Sequence, residues 1–214
     1  MDRLLLRLQV AVLAIGTAFA WFTLVGDYRR FFSAGGRVLW HRAGAWHELG
    51  TAPGALCAVD APGGLLVGTE GAHLLRAGST GIDRVASFER IAERDRWYTP
   101  WGEPPETRSL ACTADNVLLA NVHVGGIARS ADGGRSWEPT IDIEADVHQV
   151  RAVLDRPELV VAAAAVGLCA SRDSGRTWTI AAAGLDATYC RAVAVAGDTV
   201  VVGASEGHRG RKSA

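Results

Sequence analysis

With 214 residues, 49% of them hydrophobic and 21% charged, the chain has enough apolar material for one large core and too much to stay disordered. A formal net charge of −1, with arginines and histidines spread along the chain, excludes the basic signature of a nucleic-acid binder. The four cysteines, Cys57, Cys112, Cys169 and Cys190, lack C-x-x-C spacing and fall in apolar segments. They read as small buried thiols, so neither a metal site nor a cofactor is expected.

Residues 1–30 carry an uncharged run, Leu8 to Val25, flanked by Arg3 and Arg7 on one side and by Asp27, Arg29 and Arg30 on the other. As an apolar helix it is just long enough to span a bilayer, and its first part with Ala18-Phe19-Ala20 fits a signal peptide. A third reading is that the segment does not belong to the native chain. An anchored or exported protein follows from the first two readings and a cytoplasmic one from the third.

From Arg37 onward the pattern changes to short apolar runs separated by turn residues. Arg37 to Arg42 and Ala45 to Leu49 predict a strand pair. Apolar triplets then recur at Leu66-Val67-Gly68, Leu118-Leu119-Ala120, Val160-Val161-Ala162 and Val201-Val202-Gly203. Each is preceded by a turn signal and another apolar run: Ala55 to Asp60, Arg108 to Thr113, Gln149 to Leu154 and Cys190 to Val195. Such a rhythm predicts an all-β repeat with four-stranded antiparallel units at about 54–92, 107–140 and 147–180.

Two of the units carry the same octapeptide, S-x-D-x-G-x-S/T-W, at Ser130, Asp132, Gly134 and Trp137 and again, 41 residues on, at Ser171, Asp173, Gly175 and Trp178. Each residue type has a structural task there. The Asp accepts from downstream backbone N–H groups, the Gly supplies positive φ, and the indole buries area against a neighbouring unit. After Gly207 only the tail at 209–214, expected to be disordered, remains where two more strands would follow. Either the pair at residues 37–49 completes that last unit and closes a four-unit ring, or the chain is a piece of a longer array and forms an open arc.

The octapeptide resembles the Asp-box, or BNR repeat, of sialidase-like β-propellers, a family that includes YVTN/BNR-like bacterial proteins and photosystem II assembly factors. The resemblance implies a β-propeller over residues 37–208, with each box on the hairpin between the third and fourth strands of a blade. It also implies a functional face at the opposite end, formed by the loops that enter first strands and those that join strands two and three.

Candidate ligand-binding residues on that face are Tyr98, Trp101, Arg108, His123, Asp146, His148, Tyr189 and Arg191. Arginines, histidines, a carboxylate and aromatics together suit a polar, carbohydrate-like or carboxylate-bearing ligand. Family sialidases use a tyrosine nucleophile, an acidic acid/base and three arginines. Here Tyr98 or Tyr189 and Asp146 match two of those roles, but only two arginines lie at the expected face and the Arg-Ile-Pro segment is missing. The expectation is therefore a noncatalytic propeller that binds a carbohydrate or protein, with hydrolysis of glycosides and assembly of a membrane complex as alternatives.

Overall fold

A computed structural model describes residues 21–25, 29–34, 36–42, 45–181 and 183–208. Its strands are β1 (Trp21–Val25), β2 (Arg29–Ala34), β3 (Arg37–Arg42), β4 (Ala45–Thr51), β5 (Ala55–Ala61), β6 (Gly64–Thr69), β7 (Leu74–Gly78), β8 (Gly81–Arg84) and β9 (Thr107–Cys112). They continue with β10 (Leu118–Val122), β11 (Gly126–Ser130), β12 (Glu138–Pro139), β13 (Val147–Val153), β14 (Arg156–Ala164), β15 (Gly167–Ser171), β16 (Thr179–Ala181), β17 (Tyr189–Ala196) and β18 (Thr199–Ser205).

These strands form four antiparallel four-stranded sheets in chain order, β1 to β4, β5 to β8, β9 to β12 and β13 to β16, followed by the pair β17–β18. Inner strands β1, β5, β9, β13 and β17 lie side by side in succession, the arrangement of a partial β-propeller. The three units read from the sequence coincide with the second, third and fourth sheets.

At the N-terminal side one expectation is corrected and one of the two alternatives for the last unit is removed. Trp21–Val25, the end of the run expected to be helical, is a strand paired with Arg29–Ala34, while the rest of that run lies outside the described residues. The pair Arg37–Arg42 and Ala45–Thr51 joins β2 through β3 in a sheet of its own, and does not complete the sheet of β17 and β18. Among the described residues no helix is long and apolar enough to cross a membrane. The tail at 209–214 lies outside the described residues.

The apolar triplets are the second strands of their sheets, and period-two alternation lets the first three each serve two cores, whereas Val201 of the last is exposed. Leu65 and Val67 pack toward the first sheet with Val38 and Ala52, whereas Leu66 packs with Leu74, Phe88, Leu110 and Leu118 of the second and third. Leu119, Ile127, Val147, Val150 and Val160 fill the space between the third and fourth sheets, and Val161, Ala163, Cys190 and Val193 that between the fourth and fifth. Strands buried on both faces read as continuous apolar runs, which is why the first three triplets stand out in the sequence.

Both octapeptides form the hairpin between third and fourth strands, at the end of the sheet away from the β10–β11 turn. Asp132 Oδ1 accepts from the backbone N–H groups of Arg135 and Ser136 at 2.9 and 3.0 Å, and Oδ2 accepts from the Ser136 hydroxyl at 2.6 Å. Asp173 repeats this with Arg176, Thr177 and the Thr177 hydroxyl at 3.0, 2.8 and 2.6 Å. Gly175 has φ +80°, and a Cβ there would come within 2.4 Å of Leu119 in the preceding sheet, so glycine is required. Each indole reaches back one sheet: Trp137 meets Phe88 edge-on at 5.2 Å, and Trp178 Nε1 donates to Thr140 Oγ1 at 3.1 Å.

Candidate ligand-binding face

The inner strands share an irregularity that the sequence does not announce. Pairing skips one residue near the start of β5, β9, β13 and β17, so that Leu56, Arg108, His148 and Arg191 each sit in a β-bulge. A bulge bends its strand and re-aims the extra side chain. All four bulged residues line one cavity of about 290 Å³, together with Glu106, Ser109, Gln149 and Ala192. Corresponding positions of four successive inner strands place this cavity along the inner edge of the sheets.

Polar side chains on the inner strands hold neighbouring sheets in register. Ser109 Oγ donates to Asn121 Oδ1 at 3.1 Å and accepts from Val150 N at 2.9 Å, while Asn121 Nδ2 donates to the Val147 carbonyl at 2.7 Å. One sheet further on, Gln149 Oε1 accepts from Val193 N at 2.8 Å. Ser109 and Gln149 were not distinguishable as such in the sequence, because their partners lie 41 and 44 residues away.

All eight predicted candidates lie on this end of the sheets. His123 sits in the β10–β11 turn, its N–H donating to the Glu106 carbonyl at 2.9 Å. Gly126 ends that turn at φ +72°, where a Cβ would meet the Ile141 carbonyl at 2.6 Å. Buried Trp97 anchors the loop between the second and third sheets against Phe88 at 5.8 Å and leaves Tyr98 and Trp101 exposed. Trp101 stacks near His123 at 4.9 Å, His123 lies 6.3 Å from His148, and His148 lies 4.9 Å from Tyr189. The guanidinium of Arg108 stands over Trp101 at 5.6 Å and that of Arg191 over Tyr189 at 5.2 Å.

Electrostatics link the set. Glu106 takes Arg108 Nε at 2.8 Å, and the Tyr98 hydroxyl is 3.5 Å from Glu144. Asp146 faces both imidazoles, Oδ1 at 3.4 Å from His123 Nε2 and Oδ2 at 3.5 Å from His148 Nε2. His123 and then His148 hold the Asp146 carboxyl well below the usual carboxylate range, against a burial effect of opposite sign. Burial and then the Asp146 charge push the Tyr189 phenol up.

A larger recess of about 400 Å³ lies elsewhere, lined by Glu93, Arg96, residues 139–143 and Arg176. It holds none of the eight candidates. The cysteines are free, and burial raises the thiols of Cys57 and Cys169 to about 12 and about 11.

No family model matches the chain, and no curated protein does. Solved structures do match in fold. An ancestral GH74 enzyme shares 18% identity over 77% of this chain and 24% of its own, with a TM-score of 0.56. The GH74 xyloglucanase from Xanthomonas campestris shares 16% over 84% and 32%, with a TM-score of 0.58. The computationally designed Ika8 protein shares 14% over 88% and 56%, with a TM-score of 0.59. The chain thus spans between a quarter and somewhat over half of these proteins' lengths, and identities this low establish the β-propeller fold alone.

Proposed function

We propose that the protein is a noncatalytic binding propeller of the BNR/Asp-box kind, which takes a carboxylate-bearing carbohydrate along the inner edge of its sheets. The observation that carries this reading is the repeated bulge, which turns Arg108 and Arg191 toward one cavity between the inner strands. Two guanidiniums suit a carboxylate, since each offers a planar fork of donors. Exposed Trp101 beside Arg108 offers apolar ring surface for a sugar.

Hydrolysis is less well supported. A tyrosine nucleophile needs a lowered pKa, and burial pushes the Tyr189 phenol up.

Calorimetric titration with sialic- or uronic-acid-terminated oligosaccharides tests the reading, with neutral analogues as controls. Saturable binding of acidic sugars that disappears in the Arg108→Ala, Arg191→Ala double variant is the expected result. Turnover of an aryl sialoside that Tyr189→Phe abolishes would replace the binding module by a hydrolase. Indifference to acidic sugars would remove the proposal.

A further inference from the structure

We propose that His123, Asp146 and His148 form a binding site for a divalent zinc-type cation. Among the described residues this is the cluster in which donor atoms of three such side chains approach one another, all within 4.8 Å. The inference rests on these three side chains and does not depend on the sugar class proposed above.

The separations fit an ion better than direct hydrogen bonds. His123 Nε2 to Asp146 Oδ1 is 3.4 Å and His148 Nε2 to Asp146 Oδ2 is 3.5 Å, both beyond the usual 2.7–3.2 Å range for N–H···O bonds. Zinc bonds of 2.0–2.1 Å at tetrahedral angles set neighbouring ligand atoms roughly 3.3–3.4 Å apart. The two imidazoles face different oxygens of Asp146 and the three donors lie within 4.8 Å of one another, so seating one ion draws the side chains inward by small rotations.

Hydrogen bonding around the site points the same way. His148 Nδ1 lies 2.6 Å from the Cys190 carbonyl, which only accepts, so Nδ1 carries the proton. In the neutral ring Nε2 then turns a lone pair toward the Asp146 carboxylate, an arrangement a cation between them satisfies. A carbonyl-oriented imidazole such as His148 is the ordinary outer shell of a metal-bound histidine, whereas His123 Nδ1 is buried with no partner among the described residues. Asp146 Oδ1 is buried and has no hydrogen-bond partner among the described residues, although it faces His123.

The backbone holds the donors in place. Asp146 adopts a left-handed conformation at φ +48°, fixed by its N–H on the Ile143 carbonyl at 3.1 Å and by Ala165 N on its own carbonyl at 3.0 Å. Trp101 and Tyr189 wall the two imidazoles. Two imidazoles and one carboxylate leave a fourth position for water or for an oxygen of a bound ligand.

The full chain, stripped with chelator, is titrated with ZnCl2 by calorimetry and with Co2+ by visible absorption. One equivalent of Zn2+ is expected, with intense Co2+ bands of a tetrahedral site. Asp146→Asn and His148→Gln should each weaken Zn2+ by more than about 100-fold, exceeding the effect of an outer-shell change. His47→Gln, on exposed β4, should leave it unchanged. Circular dichroism verifies folding, and the isosteric Asp146→Asn decides the matter if His148→Gln does not fold. Equal Zn2+ affinity in wild type and Asp146→Asn, or no saturable binding, overturns the site. Because Zn2+ is titrated without sugar, and sugar is titrated with chelator present, either proposal can fail while the other stands.

Discussion

Arg108 and Arg191 occupy the same bulge position on β9 and β17 and line the same cavity, with His148 of β13 on the bulge between them. The strand before them, β5, carries an uncharged residue at that position, Leu56.

Substituting Leu56→Arg therefore places a third guanidinium on the ring of bulges. Partly exposed charge pairs contribute up to about 1 kcal/mol, so affinity for an acidic sugar should rise by roughly threefold to fivefold. The gain should shrink at high salt, because the added attraction is screened. Titration at two ionic strengths checks this. Unchanged affinity at low salt would mean that the ligand does not reach β5.

A second repeated contact lies at the opposite end. Arg129 Nε on β11 donates to the Ser174 carbonyl at 2.9 Å, and Arg76 on β7 reaches the Gly133 carbonyl at 2.8 Å, each linking one sheet to the next sheet's octapeptide loop. Arg129 is buried and also pairs with Glu138 at 3.0 Å. Arg129→Ala should cost about 1–3 kcal/mol by urea unfolding, with sugar and Zn2+ binding unchanged. A loss of either ligand without a loss of stability would contradict the separation of the two ends.

Local signals made the β-propeller legible. The Asp132 and Asp173 loops are complete within eight residues, and triplets buried on both faces read as apolar runs. Trp21–Val25 misled because an uncharged apolar run does not distinguish strand from helix by periodicity alone. That the eight candidates share one end of the sheets was legible, because they sit in or beside loops at equivalent places of each unit. The bulges and the approach of His123 to Asp146 and His148 were not, since they depend on register between strands and on residues 23 and 25 positions apart in sequence. No short spacing rule covers such a cluster.

The thiols supply a third prediction. Burial raises Cys57 to about 12 and Cys169 to about 11, and it also pushes up Cys112 and Cys190. Only the thiolate reacts, so at neutral pH its fraction falls about tenfold for each rise of one in the thiol's pKa. Native protein should resist a maleimide or disulfide reagent, and all four cysteines should label once urea unfolds it. Rapid labelling of Cys57 in the folded state would mean that the β5–β9 interface opens readily, for its Sγ donates to the Thr107 carbonyl at 3.2 Å across that interface.

Acid should act on the octapeptide loops. At Asp173, burial alone would raise the carboxyl, but donors from Thr177, Ser171 and Arg176 outweigh it and bring the pKa down to about 2. At Asp132 the Ser136 hydroxyl and N–H, with Ser130, lower it further. A carboxyl whose folded pKa lies below its unfolded value of about 3.9 contributes stability that is complete above that value. The contribution is lost as pH falls through the folded pKa, so the window for Asp173 runs from roughly pH 4 down to about 2. Because the loop is solvent-exposed, Asp173→Asn should cost only about 1 kcal/mol at neutral pH. Urea midpoints of wild type and variant should converge as pH approaches 2. A gap that persists there would show that the Asn fails for steric reasons and that the charge at Asp173 is not what holds the turn.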